Sequence, residues 1–281
     1  MSTTNHTKYP KENPDELDLL VEGLLAGRKY RELSLPVETV RDLLAQELPR
    51  HRNQKDALQS VRRKLHNIVA TYLGDPDYPA SAHQLDEAFA GGDPAHVQAV
   101  CRQILSAHAS TRERLPLLDD FYARLWQVTG APHTVLDLAC GLHPFGLPWM
   151  GLPASARYYA YDIHQPRVDL INHYFSLQGL EPLARCQDIL VSPPQVEADA
   201  AFFFKEAHRF EQRQHGCNRA FWRSLKVKWL LVSLPTESMT KRHSLAEGHR
   251  RLVYNTLAGL GWEVVEVEFE GEMVFCVKCG A

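Results

Sequence analysis

The chain has 281 residues, of which 44% are hydrophobic and 23% charged, as is ordinary for a globular protein with a sizeable core. No apolar run approaches the roughly 20 residues that span a bilayer, and the polar N-terminus lacks an apolar secretory segment, so we expect a cytoplasmic protein without a membrane partner. The net charge of −3 argues against a generally basic nucleic-acid-binding protein and leaves only a local basic patch for that role.

The first part of the chain has the pattern of helices. Residues 1–16 are polar and contain two prolines, and we expect a disordered tail there. Beyond them, apolar residues recur at spacings of three and four, which predicts helices, and no strand pattern occurs before residue 134. The predicted helices cover residues 16–30, 36–48, 54–73, 82–92, 94–110 and 114–130. The sequence therefore predicts a helical N-terminal domain over residues 17–107.

From residue 134 the pattern changes to short apolar runs that alternate with helical segments. The predicted strands are residues 134–139, 157–163, 184–190, 199–205, 228–235, 262–270 and 272–279, with the clearest helices at 165–179 and 245–261. Several strands are continuously apolar, as in a sheet covered on both faces. The last two strands are separated only by a short turn. This order predicts, over residues 108–281, a doubly wound, Rossmann-like α/β sheet with an antiparallel terminal hairpin.

The sequence "LDLACG" ends the first predicted strand with a turn of small residues, Ala139 to Gly141. Ligands of doubly wound sheets bind beyond the carboxyl ends of the strands, and glycine lets the backbone approach a ligand closely. Asp162 ends the second strand, where a carboxylate can accept hydrogen bonds from ribose hydroxyls. Asp188 follows the third, where it can meet an adenine amino group. This pattern favours a nucleoside ligand over a chance arrangement of acidic residues.

The glycine fingerprint of dinucleotide-binding enzymes is absent, because "ACGLHPFG" contains no Gly-x-Gly and has a proline inserted. NAD and FAD need that fingerprint for their pyrophosphate. The pattern therefore indicates a nucleoside cofactor without phosphate, and S-adenosyl-L-methionine is the obvious one.

A second feature is the concentration of basic residues between positions 50 and 66. If this segment is helical, Lys55, Arg62, Arg63 and Lys64 form a basic face opposite an apolar back. Such a face is typical of a surface that binds RNA phosphates, although many charged runs are simply solvated helix faces. We interpret this one as an RNA-binding face because the rest of the chain is net acidic.

These motifs carry a resemblance. The segment "LDLACGLHPFGLPWMGLP", together with "HASTRERLPLLDDFYARLW", "RRKLHNIVATYL" and "FFFK", resembles the aminoglycoside-resistance 16S rRNA (guanine-N7) methyltransferases, the family of the sisomicin-gentamicin methylase, ArmA and RmtB. The likeness covers most of residues 17–235. It implies a class I methyltransferase sheet preceded by a helical domain that docks on rRNA. It also implies methyl transfer from S-adenosyl-L-methionine to N7 of a guanine in the decoding centre of the assembled 30S subunit, an activity related to aminoglycoside resistance.

The resemblance also implies roles for individual residues. Arg114 would hold the cofactor carboxylate, Ala139 and Gly141 would line its methionine part, Asp162 would bind the ribose, and Asp188 and Ile189 the adenine. Lys205 ends the fourth strand, where methyltransferases place residues that face the target base. Lys241 and Arg242 would add positive charge for the RNA.

The remaining cysteines and histidines do not predict further catalytic residues. Guanine N7 has a lone pair and no proton to remove, so methylation there needs orientation and no general base. The six scattered cysteines favour free thiols, and Cys276 and Cys279 alternate along a strand without a second pair, so we expect no metal. His143 stands where relatives more often have asparagine, and packing or capping is its simplest role.

Two segments depart from the family pattern. Residues 206–214 and 236–245 differ from the family at strand ends that face the substrate, and Glu237 replaces a lysine. A second hypothesis therefore remains, a catalytically silent or retargeted RNA- or ribosome-binding protein with a methyltransferase-like domain. We expect a monomer in either case.

Overall fold

The computed structural model describes residues 14–69, 75–237 and 244–280. The chain forms two compact units that divide after residue 71. The division lies earlier than the expected boundary at residue 107, because the helices between residues 78 and 107 pack into the core of the second unit. Of the expected disordered tail, residues 1–13 lie outside the described residues, whereas residues 14–16 already belong to the first helix.

The first unit is helical, as its pattern predicts. Its helices are α1 (Pro14–Leu25), α2 (Arg28–Leu33), α3 (Val37–Glu47) and α4 (Gln54–Val69). The segment predicted as one helix over residues 16–30 is broken at Gly27, which precedes α2. Asn53 begins α4 by accepting a hydrogen bond from the Asp56 N–H at 2.9 Å. The apolar faces of α3 and α4 bury Leu43, Val61 and similar residues completely.

A buried carboxylate joins α3 to α4. Glu47 is 4% exposed and accepts hydrogen bonds from Ser60 Oγ at 2.5 Å and from Lys64 Nζ at 2.9 Å. Burial alone would raise the pKa of Glu47, but these two donors together with His51 and Arg50 lower it to about 2. Lys64 therefore forms an ion pair within the first unit.

The second unit contains the remaining helices and all seven strands of the described residues. The helices are α5 (Tyr78–Gly91), α6 (Pro94–Ala107), α7 (Ala109–Arg112), α8 (Leu118–Thr129), α9 (Leu147–Met150), α10 (Gln165–Leu177), α11 (Ala207–Arg213), α12 (Cys217–Ser224) and α13 (Ala246–Leu257). The strands are β1 (Thr134–Leu138), β2 (Arg157–Asp162), β3 (Ala184–Cys186), β4 (Glu197–Phe204), β5 (Lys226–Pro235), β6 (Glu263–Phe269) and β7 (Glu272–Lys278).

The strands form one sheet in the order β3-β2-β1-β4-β5-β7-β6. The first five strands are parallel, whereas β7 is antiparallel to both β5 and β6. The chain order reverses between β1 and β4, which are neighbours, and this reversal opens a crevice at their carboxyl ends. The sequence therefore predicted the doubly wound sheet and its terminal hairpin correctly.

Two apolar layers cover the faces of this sheet. One contains buried residues of α5, α6, α8 and α10, and the other contains those of α11, α12 and α13. Along β1, Val135 belongs to the first layer while Leu136 and Leu138 belong to the second, as the alternation of a strand requires. Strand β3 is shorter than predicted, because the chain leaves the sheet after Cys186.

The proline-rich segment after β1 packs tightly. Residues His143–Gly146 form a 3-10 helix with Pro144 in its first turn, and α9 follows directly with Pro148 in the same place. Both prolines stand where their missing N–H costs nothing. A Cβ on Gly146 would lie only 2.8 Å from the Tyr122 hydroxyl, so the close packing of α8 here depends on glycine.

Gly146→Ala is therefore expected to lower the free energy of unfolding by about 1–3 kcal/mol, the usual cost of overpacking a buried site. Adding Tyr122→Phe removes the obstructing oxygen, so the double variant should be less destabilised than the sum of the two single changes. Chemical denaturation followed by tryptophan fluorescence measures all three variants. The matched control is Gly91→Ala, because a Cβ there has no described atom within 4 Å and should cost nothing. Equal losses for both alanine variants would contradict the prediction.

Candidate functional site

A cavity lies at the carboxyl ends of β1, β2 and β4, where the chain order reverses. The cavity is open to solvent. Its wall includes Arg114, Thr111 and His108 ahead of α8, Ala139 and Gly141 after β1, Asp162 at the end of β2, and Lys205 and Glu206 after β4. The structure thus brings together five of the predicted site residues.

The backbone is strained or unusual where the strands end in this wall. Ala139 has φ +53°, Gly141 +56° and Lys205 +60°. A residue with a side chain adopts this left-handed conformation at a cost of about 1 kcal/mol or more, and such residues concentrate at functional sites. No described atom lies within 4 Å of the position that a Cβ on Gly141 would take. The missing side chain therefore leaves space free in the cavity wall.

Asp162 is the central acceptor of this wall. It is 3% exposed and accepts hydrogen bonds from the backbone N–H of Gly141 and of His164, each at 2.9 Å, and from Arg167 Nη1 at 3.0 Å. A carboxylate offers about four acceptor positions, so one remains, on Oδ1. The carboxylate can therefore accept one further hydrogen bond, whereas the sequence predicted that it accepts hydrogen bonds from the ribose hydroxyls.

Arg167 holds Asp162 in place. Its side chain is completely buried and pairs with Asp162 at 3.0 Å and with Asp75 at 2.5 Å. Burial would raise the pKa of Asp75, but His164 and Arg167 lower it to about 2, and Tyr78 donates a further hydrogen bond to it. Neither Arg167 nor Asp75 was predicted from the sequence, since an arginine in "QPRVDLIN" looks like an exposed helix residue.

A second buried ion pair contains Arg114, which also lines the cavity. Arg114 is 3% exposed, and its Nε and Nη2 donate to Glu272 at the start of β7. Its guanidinium carbon lies 4.7 Å from the ring centre of Phe121 and 4.5 Å from that of Phe204. Among the described residues, nothing bonds to Nη1, so this nitrogen remains for a ligand carboxylate. The role of Glu272 was not visible in the sequence because the residue starts an apolar strand.

Lys205 lines the cavity, but its ammonium group is already engaged. Nζ donates to Glu113 at 2.7 Å and to the Ser110 carbonyl at 3.2 Å, and lies 3.6 Å from Glu272. Burial would raise the pKa of Glu272, but Arg114 and Lys205 lower it to about 2. In this conformation Lys205 fixes the 108–114 segment against the sheet.

His143 belongs to a buried polar chain beneath the cavity. Its Nδ1 is 2.8 Å from Asp137 and its Nε2 is 2.8 Å from the Tyr122 hydroxyl. Tyr158 also donates to Asp137, at 2.7 Å. Because both ring nitrogens are occupied by protein groups, we interpret His143 as a residue that fixes the turn after β1.

Cys140 also lies in the cavity wall. Its thiol is nearly buried, and burial together with the nearby Asp137 and Asp162 carboxylates raises its pKa well above the ordinary value. The thiol therefore stays protonated at neutral pH.

Asp188 and Ile189 do not line this cavity. Arg213 on α11 pairs with Asp188 at 2.7 and 3.0 Å, and the Leu190 N–H donates to Asp188 at 3.1 Å. Ile189 packs in the apolar layer beside α11 to α13. The carboxylate of Asp188 is therefore paired with a guanidinium distant in sequence.

The predicted RNA-binding residues divide into three groups. Lys55, Arg62 and Arg63 are exposed on α4, opposite buried Val61 and Leu65. Lys64 instead bonds to Glu47 at 2.9 Å. Residues 241 and 242 (Lys241 and Arg242) lie outside the described residues.

Two features are absent from the part of the chain that the structure describes. Within residues 14–69, 75–237 and 244–280, no cluster of three or more His, Cys, Asp or Glu side chains is arranged to hold a metal ion. None of the helices described has the length and apolarity needed to cross a bilayer.

The parallel sheet with its antiparallel last strand, and the cavity beyond β1, β2 and β4, define a class I methyltransferase fold. A protein-family model described as "Ribosomal RNA methyltransferase (FmrO)" matches residues 26–276. The chain belongs to this family.

Individual relatives agree with the family match. A 16S rRNA (guanine(1405)-N(7))-methyltransferase of Serratia marcescens is 34% identical, over 91% of this chain and 96% of that protein. One of the same name from Frankia casuarinae is 30% identical over 93% of each chain. The crystal structure of the 16S rRNA methyltransferase RmtF in complex with S-adenosyl-L-homocysteine is similar, with a TM-score of 0.76 and 31% identity over 96% of this chain and 100% of that one.

The buried ion pairs of Arg167 generate a prediction about stability. Arg167→Met should lower the free energy of unfolding by about 3–5 kcal/mol, because Asp75 and Asp162 lose their shared cation while remaining in a largely buried position. Tryptophan fluorescence during denaturation reports this directly, since all five tryptophans lie in the second unit. The control is Arg157→Met, whose exposed pair with Glu181 at 3.3 Å should contribute less than about 1 kcal/mol. A loss for Arg167→Met no larger than that of the control would refute the assignment.

Proposed function

We propose that this chain transfers a methyl group from S-adenosyl-L-methionine to N7 of a guanine in 16S rRNA. The observation that carries the proposal is the match to relatives of that name along nearly the whole chain, at 30% and 34% identity. The cavity supports it, because it lies where class I methyltransferases bind their cofactor. We further propose that the substrate is the decoding centre of the assembled 30S subunit in the cytoplasm, that the enzyme acts as a monomer, and that its activity is related to aminoglycoside resistance.

The cavity wall suits this cofactor. Arg114 Nη1 is available for the methionine carboxylate, Ala139 and Gly141 leave room beside it, and Asp162 has one acceptor position for a ribose hydroxyl. Asp188 and Ile189 are the proposed residues for the adenine, and Asp188 is already paired with Arg213. The cofactor supplies an electrophilic methyl group on a sulfonium.

The residues around the cavity suit a transfer that needs no base. Guanine N7 presents a lone pair without a proton, so the protein has to hold the base in line with the methyl group and exclude water. Lys205 is committed to Glu113 and Glu272, and His143 to Asp137 and Tyr122, which agrees with structural rather than proton-transfer roles. The target base must still leave its stack to reach the cavity.

Incubation of purified small subunits with methyl-labelled cofactor tests the proposal. We expect label in 16S rRNA and strand scission at one guanine after borohydride and aniline treatment, which is specific for N7-methylguanosine. Subunits without enzyme are the control. Cofactor binding without any labelled RNA would instead support the silent RNA-binding alternative, and label at another atom would support a retargeted enzyme.

The basic face of α4 is proposed as the surface that docks on rRNA. Changing both Arg62 and Arg63 to glutamate should weaken subunit binding on the order of tenfold or more and make it less dependent on salt, because phosphate contacts dominate such affinity. Cofactor affinity should not change. A filter-binding titration at several salt concentrations measures the effect.

The matched control for docking changes Arg223 and Lys226 to glutamate, since both are exposed in the second unit and outside the cavity. Lys64 is left unchanged because its pairing with Glu47 would confuse docking with folding. If both double variants lose the same amount of affinity, the effect is one of total charge and α4 is an ordinary solvated face.

A further inference from the structure

Glu206 is a charged residue of the cavity wall that has no role in the proposed reaction. It follows Lys205 at the end of β4 and lines the cavity with 20% of its side chain exposed. Oε1 accepts a hydrogen bond from Arg209 at 2.9 Å. From the described residues, Oε2 receives no hydrogen bond. The cavity therefore contains a carboxylate oxygen that has no hydrogen-bond partner among the described residues.

The other charged groups of the wall already have protein partners. Arg114 and Lys205 are held by Glu272 and Glu113, and Arg167 is held by Asp75 and Asp162. Asp137 is likewise occupied, by His143 and Tyr158. Among the described residues, Glu206 is hydrogen-bonded to the partly exposed Arg209 alone, so its charge is the least compensated in the wall.

The protonation of Glu206 reflects this shortage of positive charge. Burial raises the pKa of Glu206 most, the Asp162 carboxylate raises it further, and Arg209 and Arg167 lower it, with a result of about 7. At neutral pH Glu206 is therefore partly in the form of the neutral acid. A cation placed beside it would favour the carboxylate and release a proton to solvent.

We propose that Glu206 is the counter-charge for the sulfonium of S-adenosyl-L-methionine and allows this site to prefer the cofactor over S-adenosyl-L-homocysteine. The inference rests on the proposed function. The two molecules share the adenosine and the amino acid and differ by one methyl group and one positive charge. Of the groups in the wall, an under-compensated carboxylate is the one that responds to that charge. After transfer the positive charge lies on the methylated guanine, and the thioether that remains no longer attracts Glu206.

The test compares binding of the two molecules to the full-length protein by calorimetry. In Glu206→Gln, the ratio of affinities for S-adenosyl-L-methionine over S-adenosyl-L-homocysteine should fall by about tenfold near pH 8, because a neutral amide does not attract the sulfonium. The fall in the affinity ratio should be smaller at about pH 6, where the carboxyl of Glu206 in the wild-type protein is mostly protonated. Comparing variant with wild type at each pH cancels the titration of the ligands' own amino groups.

Two further variants keep the result interpretable. Glu206→Asp retains the charge and should retain most of the selectivity. Glu181→Gln removes a charge from an exposed residue outside the cavity and should leave the ratio unchanged at both pH values. Binding of S-adenosyl-L-homocysteine to each variant shows that the site is folded.

The outcomes separate this inference from the proposed function. If the wild-type protein binds neither molecule, the proposed function fails. Suppose that the wild-type protein binds both molecules. If Glu206→Gln then keeps the wild-type ratio of the two affinities, or lowers that ratio equally at both pH values, the role assigned to Glu206 is overturned while the proposed function stands.

Discussion

The arrangement of the cavity depends on one buried cation, the guanidinium of Arg167. It lies between Asp75 and Asp162 and is completely shielded from solvent, where an unpaired charge would be very unfavourable. Asp162 in turn accepts the N–H of Gly141 and so fixes the turn after β1. One helix side chain thus couples the segment before α5, the end of β2 and the turn after β1. A ligand that binds to this wall meets groups whose positions are already determined.

Much of the fold follows from local pattern. The sequence indicated the edge of the sheet at which the cavity lies, from the apolar runs of β1, β2 and β4 and the small residues of the turn at 139–141. Strand ends and glycine turns are encoded within a few residues. Asp188 is different. Its carboxylate stands at the expected place after β3, but it is paired with Arg213, 25 residues further on, which the local pattern does not show. Glu272 and Arg167 illustrate the same limit, since the partner of a buried charge lies far away in sequence.

The basic segment of α4 shows that a charge pattern does not reveal the ion pairs that its residues form within the fold. Four residues were assigned to one face, yet Lys64 bonds to Glu47, which lies in the preceding helix and is itself nearly buried. A helical projection predicts which side chains share a face, but it contains no information about the carboxylates that neighbouring helices present. The boundary between the two units differs from the expected one for a related reason. The apolar faces of α5 and α6 fit a helical domain as well as a layer over a sheet, and only packing distinguishes them.

The thiol of Cys140 has a consequence for chemical compatibility. The proposed cofactor is an alkylating agent, and a thiolate is among the strongest nucleophiles that a protein can offer to it. Cys140 lies in the wall of the same cavity, next to Gly141. Burial and two neighbouring carboxylates keep it in the unreactive thiol form. The negative charges that suit a cationic ligand therefore also protect the protein from methylating itself.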